Sequence, residues 1–253
     1  ATRAMLLLRT LARPQLAMDH TSLFTAGTDE SPRLRGAIRL TGDARQVGTT
    51  WRQFFVPRLE QLRDRVRHVL SAHLSEANEL LRAAGTATDR FDPVSFRRSA
   101  IEPHPQDRHF ESIDTLIDCA RDLLEWLLAH HTAEADLLIA EWARSYAPIL
   151  VRLAVHGLAE HPARTPAALG AEVVRRRWLY RSGIKHEVFR LLKRSAGRAQ
   201  ESTLGTLVAA ATEQPVLSES RDEAVAAPEG GDRDGEPSTR REGQVITDYE
   251  RFN

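Results

Sequence analysis

From Trp51 onward apolar side chains return at intervals of three and four: Trp51, Phe55, Leu59, Leu62, Val66, Val69, Leu70, Leu74, Ala77, Leu80 and Leu81. Arg52, Glu60, Arg63, Asp64, Arg67, Glu76 and Arg82 fall between them. This period predicts one long helix with a single apolar stripe, closed by Gly85 as its C-terminal glycine. Pro57 belongs near its first turn or kinks it, because proline has no backbone N–H to give. A one-stripe helix is unstable alone, so the stripe must rest on other helices.

The same period returns at Ile113, Leu116, Ile117, Ala120, Leu123, Leu124, Leu127 and Leu128, ending near His130-His131. Ala135, Leu138, Ile139 and Trp142 mark a further helix. Pro148 opens another, with Ile149, Leu150, Leu153 and Leu158, which Gly157 and Pro162 break. Thr165-Pro166 pairs an N-cap residue with proline at the first helical position and predicts a helix through Leu169, Val173, Val174, Trp178 and Leu179. Ile184, Val188, Phe189, Leu191 and Leu192 belong to the next helix, and Gln200 to Thr212 to the last. Leu124 and Phe189 are expected in the core, as are Trp51, Trp126, Trp142 and Trp178.

Outside these runs the pattern is weaker. Met5 to Leu11 predicts a short helix that Pro14 stops. Ala37 to Leu40, ahead of Thr41-Gly42-Asp43, reads as a strand or an extended arm entering a turn. Residues 86–109 form an irregular link, because Asp92-Pro93 and Glu102-Pro103-His104-Pro105 resist helix. Phe91, Val94, Phe96 and Ile101 would pin that link onto the core. The fold class is therefore all-α: antiparallel helical hairpins forming an irregular α-solenoid or, alternatively, a compact bundle. No convincing period-2 run points to a sheet. The organisation is an N-terminal arm of uncertain structure (1–48), a helical domain (49–214) and a tail (215–253).

The tail changes in character. From Val216 to Asn253 there are ten acids against five arginines, with Pro228, Gly230-Gly231 and Pro237 among them. So little apolar surface over 216–244 predicts a disordered acidic linker or a surface insertion. Val245, Ile246, Tyr249 and Phe252 then restore apolar spacing. Two readings stay open for them, the start of a truncated helix and an ordinary frayed tail.

Composition bounds the function. The 253 residues are 42% hydrophobic and carry 35 Lys and Arg against 35 Asp and Glu, a net charge of zero that disfavours a general polyanion binder. Lys185 and Lys193 are the only lysines. The single Cys119 excludes an internal disulfide framework and fits a reducing, cytoplasmic compartment. No stretch approaches the roughly 20 apolar residues of a membrane helix, so no membrane partner is expected.

Candidate chemistry is sparse. His104, Asp107 and His109, with Glu102 nearby, are the least implausible metal cluster, and they support a metalloenzyme alternative. His186-Glu187 opens like a zinc-protease motif, but position 190 is Arg. His68 and His73, five apart on a helix, do not share a face. Asp114 and Asp118 share a helix face, which reads as a solvated one. Cys119 reads as a buried, inert thiol. Arg97, Arg98, Arg175, Arg176 and Arg177 define a nucleic-acid alternative, although Arg packing on Trp178 is the simpler reading. No catalytic, cofactor-binding or metal residue is assigned, no cofactor is expected, and the chain is read as non-enzymatic.

Five stretches carry a resemblance: Trp51–Gly85, Asp92–Asp107 (DPVSFRRSAIEPHPQD), Trp142–Gly157, Lys185–Leu192 (KHEVFRLL) and Tyr249–Asn253 (YERFN). They resemble the helical C-terminal region of large bacterial anti-phage defence proteins, which often carry a sirtuin-like domain. KHEVFRLL and SAIEPHPQD are the more specific pieces. The resemblance implies a scaffold or sensor module of uncharacterised function, with a protein partner or the rest of a larger chain beside it. It also implies more helix after YERFN, favouring truncation. The NAD-consuming region of such proteins lies outside this chain, and no catalytic residue carries over.

Overall fold

A computed structural model describes residues 2–20, 34–88, 91–107 and 111–213. The chain divides at Pro215 into two units, and all described residues belong to the first. The expectations for the tail over 215–253, and the placement of His109, lie outside them.

The described residues are predominantly helical: α1 (Thr2–Leu11), α2 (Ala44–Thr50), α3 (Leu59–Ala83), α4 (Pro93–Arg97), α5 (Ser112–His130), α6 (Thr132–Trp142), α7 (Pro148–Glu160), α8 (Pro166–Arg175), α9 (Lys185–Ala196) and α10 (Glu201–Thr212). The exception is one antiparallel pair, β1 (Pro14–His20) with β2 (Leu34–Leu40), in the register Pro14 to Leu40 and Leu16 to Ile38. The sheet corrects the expectation that no alternation exists. Gly36, Ile38 and Leu40 are buried, while Ala37 and Arg39 between them are not. Gly36 is needed for this packing, since a Cβ there would meet Leu16 Cδ1 at 3.1 Å and Ala84 Cβ at 3.3 Å.

The long helix begins earlier than the stripe implies. Asp43 caps α2 by accepting from the Gln46 N–H. The helical path then widens at Trp51–Phe55, where the Val56 N–H reaches back five residues to the Trp51 carbonyl. It tightens into a 3₁₀ turn at Val56–Arg58 before α3. Pro57, which cannot donate to the preceding turn, sits in the tight turn. At the other end Gly85 has φ 69°, and Thr86 N–H donates to Leu81 O while Gly85 N–H donates to Arg82 O. This is the Schellman closure expected of a terminal glycine.

The core is organised around α7. Every residue from Pro148 to Ala159 is buried, and α7 touches α3, α4, α5, α6 and α9. In a linear stack each helix would meet only its sequence neighbours, so this arrangement has the character of a bundle around a central rod. Gly157 does not break that rod. A Cβ at Gly157 would lie 2.8 Å from Leu124 Cδ2 and 3.0 Å from Ile139 Cγ1, so its absence lets α5 and α6 close on α7.

Three tryptophans, Trp51, Trp142 and Trp178, are core anchors, whereas Trp126 is half-buried and stacks on His130 at 4.7 Å. Phe189 corrects a core expectation: it is 63% exposed. Its helical phase, two residues from the buried Glu187, turns it to the outer face. In the link, Val94 and Ile101 are buried, but Phe96 is 78% exposed. The α8 helix stops at Arg175 rather than reaching Leu179, because Arg177 adopts a left-handed φ of 55° and turns Trp178 into the core.

Alanine at Gly157 should destabilise the protein in urea titration. Overpacking costs about 1–3 kcal/mol, against a helix-propensity gain of about 1 kcal/mol. The loss should shrink in a Leu124→Ala background, which vacates the contact. Leu124→Ala alone should cost about 2–5 kcal/mol, whereas Phe189→Ala should stay within about 0.5 kcal/mol.

Candidate functional site

Arg152 interrupts an apolar run on the most buried helix and is 2% exposed. A guanidinium there needs partners for its donors. Its Nη1 donates to Ser95 O (2.5 Å) and Arg98 O (2.7 Å), and its Nη2 to Ser99 O (3.1 Å) and Glu187 Oε1 (2.7 Å). Glu187, on α9, is 1% exposed. One buried ion pair thus joins α7 to α9 and grips the link between α4 and α5.

A second arginine, within the same segment, ties it to α5. Arg98 donates through Nε to Ala100 O (2.9 Å) and through Nη2 to Ile101 O (3.0 Å). Its remaining bonds go to Asp114 (3.1 Å) and Asp118 (2.7 Å) on α5. The Asp114–Asp118 pair is therefore no solvated face; Asp114 is buried, and both carboxylates receive Arg98. Asp118 also accepts from Arg121 at 2.9 Å. Asp92 starts α4 by accepting from the Val94 and Ser95 N–H groups, which presents the following carbonyls to both arginines.

Toward the C-terminal end of α7 the charges continue. His156, 1% exposed, lies 2.9 Å from Glu125 through Nε2, and its Nδ1 faces Arg190 Nη1 (3.0 Å) and Glu102 Oε2 (3.6 Å). Glu102 also meets His186 at 2.9 Å and Arg190 at 3.2 Å. Glu160 binds both Arg190 and Arg194. Arg152, His156 and Glu160 thus form a polar ridge at four-residue spacing, matched by Glu187, Arg190 and Arg194 on α9.

These contacts set the protonation states. Burial works against an imidazolium at His156, but the carboxylates of Glu102, 3.6 Å away, and of Glu125, hydrogen-bonded at 2.9 Å, outweigh it and raise its pKa above 6.5. Burial likewise works against the Glu102 carboxylate, yet His156 and His186 hold it well below the usual range. His156 lowers Glu125 in the same way. Burial, with Asp122 and Asp118 nearby, pushes the Cys119 thiol far up, so it stays protonated.

A cavity of about 310 Å³ opens beside this network, with Arg97, Arg98, His104, Asp107, Asp118 and Arg121 in its wall. His104 Nδ1 accepts from Gln106 N–H (3.3 Å) and Asp107 Oδ1 from Ser99 N–H (2.7 Å), so both shape the loop. His104 packs against His186 with ring centroids 5.7 Å apart. Among the described residues no group of three or more His, Cys, Asp or Glu is placed to hold a metal ion.

Four of the five arginines of the nucleic-acid alternative are engaged by acids. Arg97 pairs with Glu111, and Arg98 is buried in the clamp. Arg175 and Arg176 bind Glu172, and the Arg176 guanidinium lies 5.4 Å from the Trp178 ring centre. Arg177 is the left-handed residue ending that segment.

Arg152, His156 and Arg190 were not singled out by spacing, and Glu102 was singled out only as a neighbour of the His104 cluster. The available signal was the lone charge in Ile149-Leu150-Val151-Arg152-Leu153-Ala154-Val155, which demands a buried partner wherever the helix is central. The structure brings Asp92–Asp107 and Lys185–Leu192 together, through Arg152–Glu187 and Glu102–His186. No family model, curated protein or solved structure matches the chain.

Truncating Glu187 to Ala leaves Arg152 charged and buried, and should cost about 3–5 kcal/mol in chemical denaturation. Removing Glu76 from its exposed pair with Arg13 should cost about 0–1 kcal/mol.

The pH dependence has a definite sign. A folded pKa raised above 6.5 makes protonated His156 stabilising; that contribution is complete below about pH 6.5 and vanishes as pH rises through the folded value. The stability advantage of wild type over His156→Gln should accordingly shrink on raising the pH across that range. A constant difference would contradict the assignment.

Proposed function

We propose that this chain is a non-enzymatic, cytoplasmic helical scaffold or sensor module that works by holding a protein partner or the remainder of a larger chain. The carrying observation is the commitment of the polar groups around the cavity. Asp114, Asp118 and Arg98 bind one another and the link backbone, and Glu102 is engaged by His186 and Arg190. Groups tied to shape in this way supply rigidity. Support also comes from the resemblance to helical regions of anti-phage defence proteins, since both of its more specific stretches meet at this network.

Among the described residues, no helix is long and apolar enough to cross a membrane. The working surface in this reading is the outside of the bundle. Purified full chain, incubated separately with NAD and with single- and double-stranded nucleic acids, should release no product above a heat-denatured control. Turnover that is lost on altering Glu102 or His104 would overturn the scaffold reading.

A further inference from the structure

The outer face of α9 carries a feature the core does not explain. Lys185, Phe189 and Lys193 follow at four-residue intervals, about 6 Å apart along the axis, and all three are exposed. They include both lysines of the chain. Phe189 is 63% exposed, although the opposite face of the same helix buries Val188, Leu191 and Ser195.

The charges around it do not cancel. Glu187 points inward to Arg152, Glu160 holds Arg190 and Arg194, and Glu102 holds His186 and Arg190. The side chains of Lys185 and Lys193 have no hydrogen bond or ion pair among the described residues, and the same holds for the side chain of Arg198 just beyond the helix. Among the described residues the acids of this region thus support the interior, and the ridge displays cations without an acidic partner around one aromatic ring.

We propose that this ridge docks an acidic protein segment: a partner helix with an apolar residue flanked, one turn to either side, by Asp or Glu. The inference rests on the scaffold reading and specifies its partner chemistry. Charge complementarity selects the flanking residues, and the ring supplies the buried anchor. Exposed side chains at one-turn spacing along α9 match the one-turn spacing of a second helix laid beside it. The zero net charge of the chain favours a local acidic patch over an extended polyanion.

The test is selection of a displayed random 16-residue peptide library on the full chain at 150 mM salt, with a Phe189→Ala/Lys193→Glu variant in parallel. Phe189 and Lys193 are exposed, so the variant should keep the wild-type melting curve. Enriched peptides should carry acids flanking an apolar residue, and their synthetic forms should bind the variant at least tenfold more weakly. A Phe189→Ser/Lys185→Glu variant should reproduce the loss. No enrichment, enrichment of another chemistry, or equal binding to the variants would overturn the proposal. So would tighter, ridge-dependent binding of a 12-nucleotide single-stranded RNA. Catalytic turnover with peptide binding intact would instead refute the scaffold reading alone.

Discussion

A guanidinium inside a central helix is the constraint from which the rest of this architecture follows. A guanidinium is a permanent cation with donors to satisfy, and α7 is enclosed along nearly its whole length. The only stable solution is to bring acceptors to it. Glu187 comes from α9 and three carbonyls come from the link, so the packing of α9 and the path of 92–107 are fixed by one side chain. The pair is no strong source of net stability, because desolvating two ions offsets most of their attraction. It selects one arrangement over others, since most displacements of α9 or the link would strand a buried charge.

Around that centre, two kinds of close fit complete the bundle. Gly157 lets three helices approach where a methyl group would collide. The imidazole of His156 joins the far end of α7 to Glu125 of α5, and Glu160 joins it to Arg190 of α9.

The helices could be read from sequence wherever burial is one-sided. Trp51 to Leu81 and Ile113 to Leu128 show their period because one face meets solvent, and Gly85 and Thr165-Pro166 punctuate as their backbone chemistry requires. Reading failed where the deciding information is non-local. The β1–β2 pair consists of short strands, with Pro14 starting one and Gly36 inside the other, and their pairing is visible only in the register. Phe189 misled because an apolar residue near a stripe was taken as part of it; a shift of two residues reverses its face. The polar network was hidden for a related reason. Asp114 and Asp118 look like ordinary surface acids until Arg98 is placed between them, and Arg98 is placed by a loop whose course no periodicity describes.

The way the link is held also bears on how it can change. Arg98 and Arg152 grasp mainly carbonyl oxygens, at Ser95, Arg98, Ser99, Ala100 and Ile101, and every amino acid offers that same atom. Such a grip senses the distance along the chain and is blind to the side chain, so a half-exposed position like Ser99 is free to drift. Gaining or losing one residue there would shift each oxygen out of reach of its arginine, making the half-exposed Ser99 tolerant of substitution and the stretch around it intolerant of insertion.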